Sequence, residues 1–358
     1  LGDLGPAATF IAANYNIPFD VDAFAKAARH ILADFEDEFG WMHETLHTNG
    51  KTKGRINYTV WSELFSCPEC SAEVNFVEEA LDEETKRVHD EFPCPTCSAR
   101  LTKDNLERSF ETGVDPATLA PWKRIRMRPV LVNYSVGKNR YEKAPDASDE
   151  DVLRQVSKLA LPSVAPTNAL PIKEMYHGSR LEPKGFTHAH HLFLPRQIQA
   201  FSALWRNASL TRDPRLRSIL LFFLDHAVWG MSVLNRYKPI QYGRPGGSQV
   251  NNYLDGVYYV PSQIAECSPS YNLGPRAERL PKAFSAKYSK ANGAIVTTGD
   301  CGHIKIPDAC VDYIFTDPPF GENKYYADLN LIVESWHRVL TNPELEAIVD
   351  PKKNKGVH

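Results

Sequence analysis

Four of the seven cysteines fall in two C-x-x-C pairs, Cys67-Pro68-Glu69-Cys70 and Cys94-Pro95-Thr96-Cys97. A tight turn between paired cysteines presents both sulfurs on one side of the backbone. Two such turns can therefore close a tetrahedral site with no open position, and the loop between them has the usual length for a zinc site. Disulfides or idle thiols are the alternative, and both fit poorly in a cytoplasmic protein. The spacing predicts Zn2+ held by Cys67, Cys70, Cys94 and Cys97, flanked by strands over 60–65 and 73–78. A closed four-sulfur site holds shape and does no Lewis-acid chemistry. Cys267, Cys301 and Cys310 are left as reduced thiols.

A chain of 358 residues can bury a large core and is expected to hold more than one domain. Hydrophobic content of 42% with 24% charged residues is that of a soluble globular protein. No signal peptide is visible. The run Ile219-Leu220-Leu221-Phe222-Phe223-Leu224 is stopped by Asp225 and His226, too short to span a bilayer. A cytoplasmic protein with no membrane partner is expected.

The formal net charge of −3 argues against a uniformly basic nucleic-acid binder but allows a local patch. Residues 20–44 read as an acidic helix with Phe24, Ala27, Ala28, Ile31 and Phe35 on one side. Lys123, Arg124, Arg126, Arg128, Lys138, Arg140 and Lys143, by contrast, crowd together with Glu142 as the only acid. Strand-like runs at 122–128, 130–134 and 140–143, with a turn at Gly137-Lys138-Asn139, predict a basic β-hairpin. Such a hairpin could lie along a DNA groove with its cations on phosphates, or be a solvated ribbon. Pattern alone leaves both open.

Ser148-Asp149-Glu150-Asp151 predicts a helix start, with Val152, Val156 and Leu159 on its buried face. Residues 162–171 are proline-rich and read as a linker. His188, His190 and His191 have no carboxylate or cysteine nearby in sequence, so polar contacts in a turn are expected rather than a metal site. Residues 195–237 are helical in pattern, with Ile198, Phe201, Leu204 and Trp205 on one core-facing side. Residues 258–261 read as a strand end.

The chemistry is concentrated in Asp317-Pro318-Pro319-Phe320, at the end of the apolar run Val311-Asp312-Tyr313-Ile314-Phe315-Thr316. Two prolines fix φ and bar helix, so the acid and neighbouring carbonyls are held at the lip of the expected strand. The aromatic offers a stacking face. A helix follows, with Leu329, Ile332, Val333, Trp336 and Leu340 on one side. An acid, a carbonyl and an aromatic in this order suit methyl transfer to the exocyclic amine of a base. Two acceptors aimed at the amine hydrogens favour a tetrahedral nitrogen whose lone pair points at a methyl donor. The base must be flipped out of the duplex to reach it.

Residues 316–320 resemble the fourth motif of amino-methyltransferases that act on adenine N6 or cytosine N4 in DNA, and an Asp in first place favours adenine. Leu1-Gly2-Asp3-Leu4-Gly5-Pro6-Ala7-Ala8 is similar to the end of that family's second Rossmann strand, whose acid binds the cofactor ribose. Gly299-Asp300, closing a strand expected over 294–298, is similar to the motif whose acid meets the cofactor adenine. With the four cysteines, the whole resembles the zinc-ribbon-containing adenine-specific DNA methylases. That resemblance implies an α/β fold: a Rossmann-like methyltransferase sheet using S-adenosyl-L-methionine, with an inserted zinc ribbon and an α+β target-recognition region.

The implied catalytic residues are Asp317, Pro318, Pro319 and Phe320, with Tyr325 or Tyr326 beside them. Asp3 and Asp300 are the implied cofactor residues. Lys123, Arg124, Arg126, Arg128, Lys138 and Arg140 would meet double-stranded DNA. Boundaries follow at 1–45 (cofactor side), 46–110 (ribbon), 111–285 (insertion) and 286–358 (catalytic side). The implied role is restriction-modification or anti-phage defence, with further subunits of such a system as partners. A non-catalytic zinc-ribbon DNA-binding module, or a cytosine-N4 or RNA enzyme, is the alternative. The family's glycine-rich first loop would precede Leu1, and Gly243-Arg244-Pro245-Gly246-Gly247 is no substitute, so the chain reads as a fragment. A His-rich stretch ending in an aromatic and an Arg, here Phe193 and Arg196, also resembles the family, without a role that physics supplies.

Overall fold

A computed structural model describes all residues except 83, 176–177, 240–248, 251, 255, 289–292, 318–324, 347 and 349–358. The chain runs β1 (Gly2–Asp3), α1 (Pro6–Asn16), α2 (Val21–Phe39), β2 (Glu44–Leu46), β3 (Lys53–Ser66), β4 (Glu73–Asn75) and α3 (Phe76–Ala80). Short strands follow: β5 (Glu91–Pro93), β6 (Arg100–Thr102), β7 (Glu107–Arg108), β8 (Phe110–Val114), β9 (Pro121–Ile125), β10 (Met127–Val136) and β11 (Asn139–Lys143). Then come α4 (Ala147–Val156), α5 (Gly178–Leu181), α6 (Pro195–Ser209), α7 (Pro214–Val228), β12 (Gln263–Cys267), α8 (Pro269–Tyr288), β13 (Thr297–Thr298) and α9 (Tyr326–His337).

The architecture is mixed α/β, and its sheets are mostly antiparallel. β3 is the spine of a seven-stranded sheet ordered β11-β10-β3-β12, with β2, β4 and β7 also paired to β3. Its sequence alternates exposed and buried residues at first, then becomes buried on both faces where strands flank it. Pro129 cannot donate to a ladder, and it sits in β10 where the pairing to β3 shifts register. The β10–β11 hairpin forms as predicted, turning at Gly137 with a left-handed φ of 59°.

The main core lies between the helices and one face of this sheet. Phe24, Ala28, Ile31 and Phe35 of α2 are buried at helical spacing, and Asp20 caps that helix by accepting from Ala23 N. The predicted acidic helix thus ends at Phe39 rather than at residue 44. α6 and α7 bury nearly whole faces against it, including Phe201, Leu204, Leu220 and Phe223. No helix among the described residues is long and apolar enough to cross a membrane.

Several local expectations are corrected. The helix near residue 148 is capped by Asp146, which accepts from Ser148 N and Asp149 N while Asp149 reaches back to Asp146 N. Leu159 falls beyond that helix and is exposed. The strand expected over 73–78 stops at Asn75, where α3 begins. The basic run 122–128 is broken at Arg126: β9 pairs with β8, and β10 pairs with β3. Of 294–298, only Thr297–Thr298 is strand. The run 311–316 is in no strand, and Tyr313, Ile314 and Phe315 are each more than three-quarters exposed. A Rossmann-like parallel sheet is not present among the described residues, where the one parallel pairing is β1 with β13.

Candidate functional site

The ribbon begins where β3 ends. Cys67-Pro68-Glu69-Cys70 and Cys94-Pro95-Thr96-Cys97 fold into matching knuckles. Cys67 N donates to Ala72 O and Ser71 N to Cys67 O; Cys94 N donates to Ala99 O and Ser98 N to Cys94 O. Ser71 and Ser98 each take a left-handed φ, 60° and 63°, to bring the chain back after the second sulfur. The first knuckle is clasped by β3 with β4, the second by β5 with β6. A small separate core of Phe65, Val74, Phe76, Phe92 and Leu101 lies beneath both.

All four cysteines are free thiols, and their sulfurs lie within 4.8 Å of one another, with Cys67–Cys97 at 3.8 Å and Cys70–Cys94 at 3.7 Å. A tetrahedron with Zn–S bonds of about 2.3 Å has edges of about 3.8 Å. The cluster could hold a metal ion such as zinc, and the sulfur geometry fits one closely. Amide hydrogen bonds from Cys97, then Thr96, hold the Cys94 thiol at about 6, which favours the ligating thiolate.

A second cluster joins residues far apart in sequence. Asp115, His190 and His191 are all buried, and their ligand-type atoms converge within 4.8 Å. Asp115 Oδ2 meets His190 Nε2 at 2.9 Å and His191 Nε2 at 2.5 Å, while Oδ1 accepts from Ala117 N and Thr118 N. Burial alone would raise the Asp115 carboxyl. The His191 ring, the Thr118 amide, the His190 ring and the Ala117 amide outweigh it and hold the group well below the carboxylate range. Burial, then the Arg124 charge, pushes His191 down to about 3; burial also lowers His190.

The proton of His191 can be placed. Thr187 N donates to His191 Nδ1 at 3.3 Å, so the neutral ring carries its proton on Nε2 and donates it to Asp115. That nitrogen has no lone pair for a cation, and the Arg124 charge opposes one. The cluster is a hydrogen-bonded clasp between the β8–β9 loop and the histidine turn. The sequence expectation of polar contacts holds. Its premise does not, because a carboxylate is supplied from 75 residues away. Nothing in the spacing pointed to Asp115.

Arg196, whose role the sequence left open, is buried in α6. It makes a two-pronged ion pair with Glu266 of β12 and donates to Met42 O and Thr59 Oγ1. It ties the helical layer to the central sheet. Its neighbour Phe193 stacks edge-on to Trp336 of α9.

Asp3 and Asp300, expected from the resemblance to meet a cofactor, lie at one corner. Gly2 pairs with Thr297 and Asp3 with Thr298 in parallel, and Gly299 N donates to Asp3 O. Asp3 and Asp300, from opposite ends of the chain, therefore stand at neighbouring strand ends. Asp3 Oδ1 accepts from Gly5 N at 2.7 Å, just before α1. Asp300 is more committed: Oδ1 accepts from Gly302 N and Oδ2 faces His303 Nδ1 at 3.0 Å. α9 docks on the same corner, where Glu334 accepts from Ala7 N at the start of α1 and from Thr341. Leu331, Ile332 and Trp336 are its buried face; Leu340 lies beyond the helix and is exposed.

Asp317 is exposed, and Pro318, Pro319 and Phe320 lie outside the described residues. Tyr325 is half-buried and Tyr326 exposed at the start of α9.

The basic stretch is split by its partners. Arg126 is paired with Glu73 at 2.7 Å, and Lys143 is held by Asp146 and Asp149. Lys123 lies over the Phe110 ring, and Arg124 packs on Trp122 and Phe186 with its Nε buried and unpartnered. Gly185 permits that packing, since a Cβ there would meet Lys123 O at 2.0 Å and its φ is +85°. Arg128, Lys138 and Arg140 remain exposed. No protein-family model, curated protein or solved structure matches the chain.

Proposed function

We propose that the chain belongs to an S-adenosyl-L-methionine-dependent methyltransferase acting on adenine N6 in double-stranded DNA, in a restriction-modification or anti-phage setting, with a structural zinc ribbon. The observation that supports this reading is the parallel pairing of β1 with β13. It sets two acids, singled out from motifs nearly 300 residues apart, at adjacent carboxyl ends of parallel strands, with α1 opening directly after the first. Ligands of open α/β sheets bind at that place. Asp3 fits a ribose diol, because Oδ2 takes no hydrogen bond among the described residues. Asp300 fits an adenine amine once the exposed His303 ring swings aside.

When bound, the cofactor supplies an electrophilic sulfonium methyl. The Asp317 carboxylate would accept from the target amine; Pro318, Pro319 and Phe320 lie outside the described residues, and their expected parts are a second acceptor, a rigid backbone and a stacking face for the extruded base.

The test is labelled-methyl transfer to unmethylated DNA, comparing wild type with Asp317→Ala. Label is expected as N6-methyladenine, with the variant at least about 100-fold slower. Label entering RNA or protein but not DNA sinks the reading, and label on cytosine N4 moves it within the family. The non-catalytic zinc-ribbon module has one observation in its favour: residues 311–317 stand exposed and outside any sheet. Salt-sensitive DNA binding with no methyl transfer by either protein would decide for it.

A further inference from the structure

A cavity of about 540 Å³ is lined by the start of α8, residues 55–57 of β3 and Arg140 of the β10–β11 hairpin. Arg55, Arg140, Arg276 and Arg279 line it. Arg55 is engaged with Glu36 and Glu44, and Ser270 also donates to Glu36, so that carboxylate is answered within the cavity wall. The other three arginines have no ion pair among the described residues. Arg140 lies over the Tyr271 ring at 5.3 Å, Arg276 donates to Asn272, and Arg279 donates to Pro275 O.

The start of α8 adds to this charge. Ser268 accepts from Tyr271 N, and Ser268, Ser270 and Asn272 of this first turn line the cavity, where the helix dipole is positive. A further residue points to a ligand independently. His43 lines the cavity at only 3% exposure, and neither of its ring nitrogens has a hydrogen-bond partner. Buried polar atoms are rarely left this way. A neutral imidazole lining the same cavity as three guanidinium groups without an ion pair among the described residues is a donor waiting for an anionic oxygen.

We infer that this cavity is a phosphate-ester site, formed by Arg140, Arg276 and Arg279 with the α8 N-terminus and His43, for a nucleic-acid backbone or a free phosphate. Arginine forks match phosphate oxygens, and Tyr271 with Arg140 offers a flat surface beside them. Lys138, exposed at the neighbouring hairpin turn, extends the positive surface outward. The site does not depend on methyl transfer and would stand if Asp317→Ala had no effect.

The experiment titrates the full chain with a short fluorescein-labelled oligonucleotide, single-stranded or duplex, and separately with inorganic pyrophosphate. Loss of two phosphate contacts in R140A/R279A should weaken oligonucleotide binding about 60-fold at about 0.1 M salt and reduce the log–log salt slope by about 2. R140K/R279K should keep the slope. Pyrophosphate that binds one-to-one and displaces the strand identifies a free phosphate as the ligand; displacement only at screening concentrations identifies a backbone. H43F should weaken whichever probe binds while melting at or above the wild-type temperature, since it removes two unpartnered nitrogens. Unchanged binding of both probes in R140A/R279A and H43F, with wild-type melting, would overturn the site.

Discussion

The two clusters of metal-type residues differ in one respect that decides their roles. In the ribbon, the four sulfurs face mainly one another at 3.7–3.8 Å, at the spacing a tetrahedral ion imposes. In the Asp115 clasp, the converging atoms already have partners: two backbone amides and two ring nitrogens meet one carboxylate, and the unpartnered atom, the buried His190 Nδ1, is not one of those that meet it. Convergence of ligand atoms within 4.8 Å is common to both. Whether each ligand atom has another partner is not, and that is what separates a metal centre from a polar fastening.

The largest effect should come from the ribbon. Cys94→Ser, or a strong chelator, should take bound zinc from about one ion per chain to near none. Metal-linked folding energy of about 10 kcal/mol would go with it. Metal analysis with limited proteolysis should show cleavage confined to residues 67–106, and an intact, protease-resistant ribbon without metal would break the comparison. Asp115→Asn comes next. It places an amide against a ring N–H and weakens two charge-assisted hydrogen bonds, costing about 3 kcal/mol in urea unfolding. Zinc content should not move, and a loss of metal in this variant would make the clasp a ligand set after all.

A smaller effect is a slope. His190 and His191 have lowered folded values, so below about pH 6.5 the unfolded chain binds protons that the folded chain refuses. Stability is therefore full above that pH and falls as pH drops toward about 3, the folded value of His191, by up to about 1.4 kcal/mol per pH unit for each ring. Asp115, with its lowered value, adds a loss only further down, as pH falls below the ordinary carboxylate range. His191→Asn keeps a donor to Asp115 but no titrating ring. It should flatten the slope by about one proton, and an unchanged slope would show that ring to be protonated in the fold. The smallest effect extends the same accounting to the basic stretch. Arg126→Ala loses one exposed ion pair, about 1 kcal/mol or less, without changing the salt slope of DNA binding. Arg128→Ala, with no ion pair to lose among the described residues, should lower that slope by about 1.

Local chemistry was readable from sequence; distant pairing was not. The knuckles, the Gly137 hairpin turn and the apolar faces of α2 and α6 depend on neighbours a few residues away, whereas the helical pattern read over 195–237 is split into α6 and α7 and ends at Val228. Asp146 took the cap from Ser148 because its side chain reaches two amides of the first turn, a choice between adjacent candidates. Asp115 with His190, Arg196 with Glu266 and Arg126 with Glu73 were invisible, since no period or spacing marks partners from separate elements. The same reason made a seven-cation stretch look like one surface when the fold had already paired or packed much of it. At the parallel corner, motif order named Asp3 and Asp300, but only the β1–β13 pairing brings their two strand ends together. For 311–316, strand-like composition was not enough, because a strand exists only with a neighbour to share its amides.

β3 runs without a break from the helical layer's sheet to the first ribbon cysteine, and its last residues, Leu64 to Ser66, ladder with β4 and β7 while its earlier ones ladder with β10 and β12. The ribbon is thus cantilevered from the sheet rather than hung on a tether. Heat or traction applied at the knuckles would travel inward along β3 and its partner β7, so amide exchange on zinc loss should quicken first at Phe65 and Ser66 and fade toward Thr59.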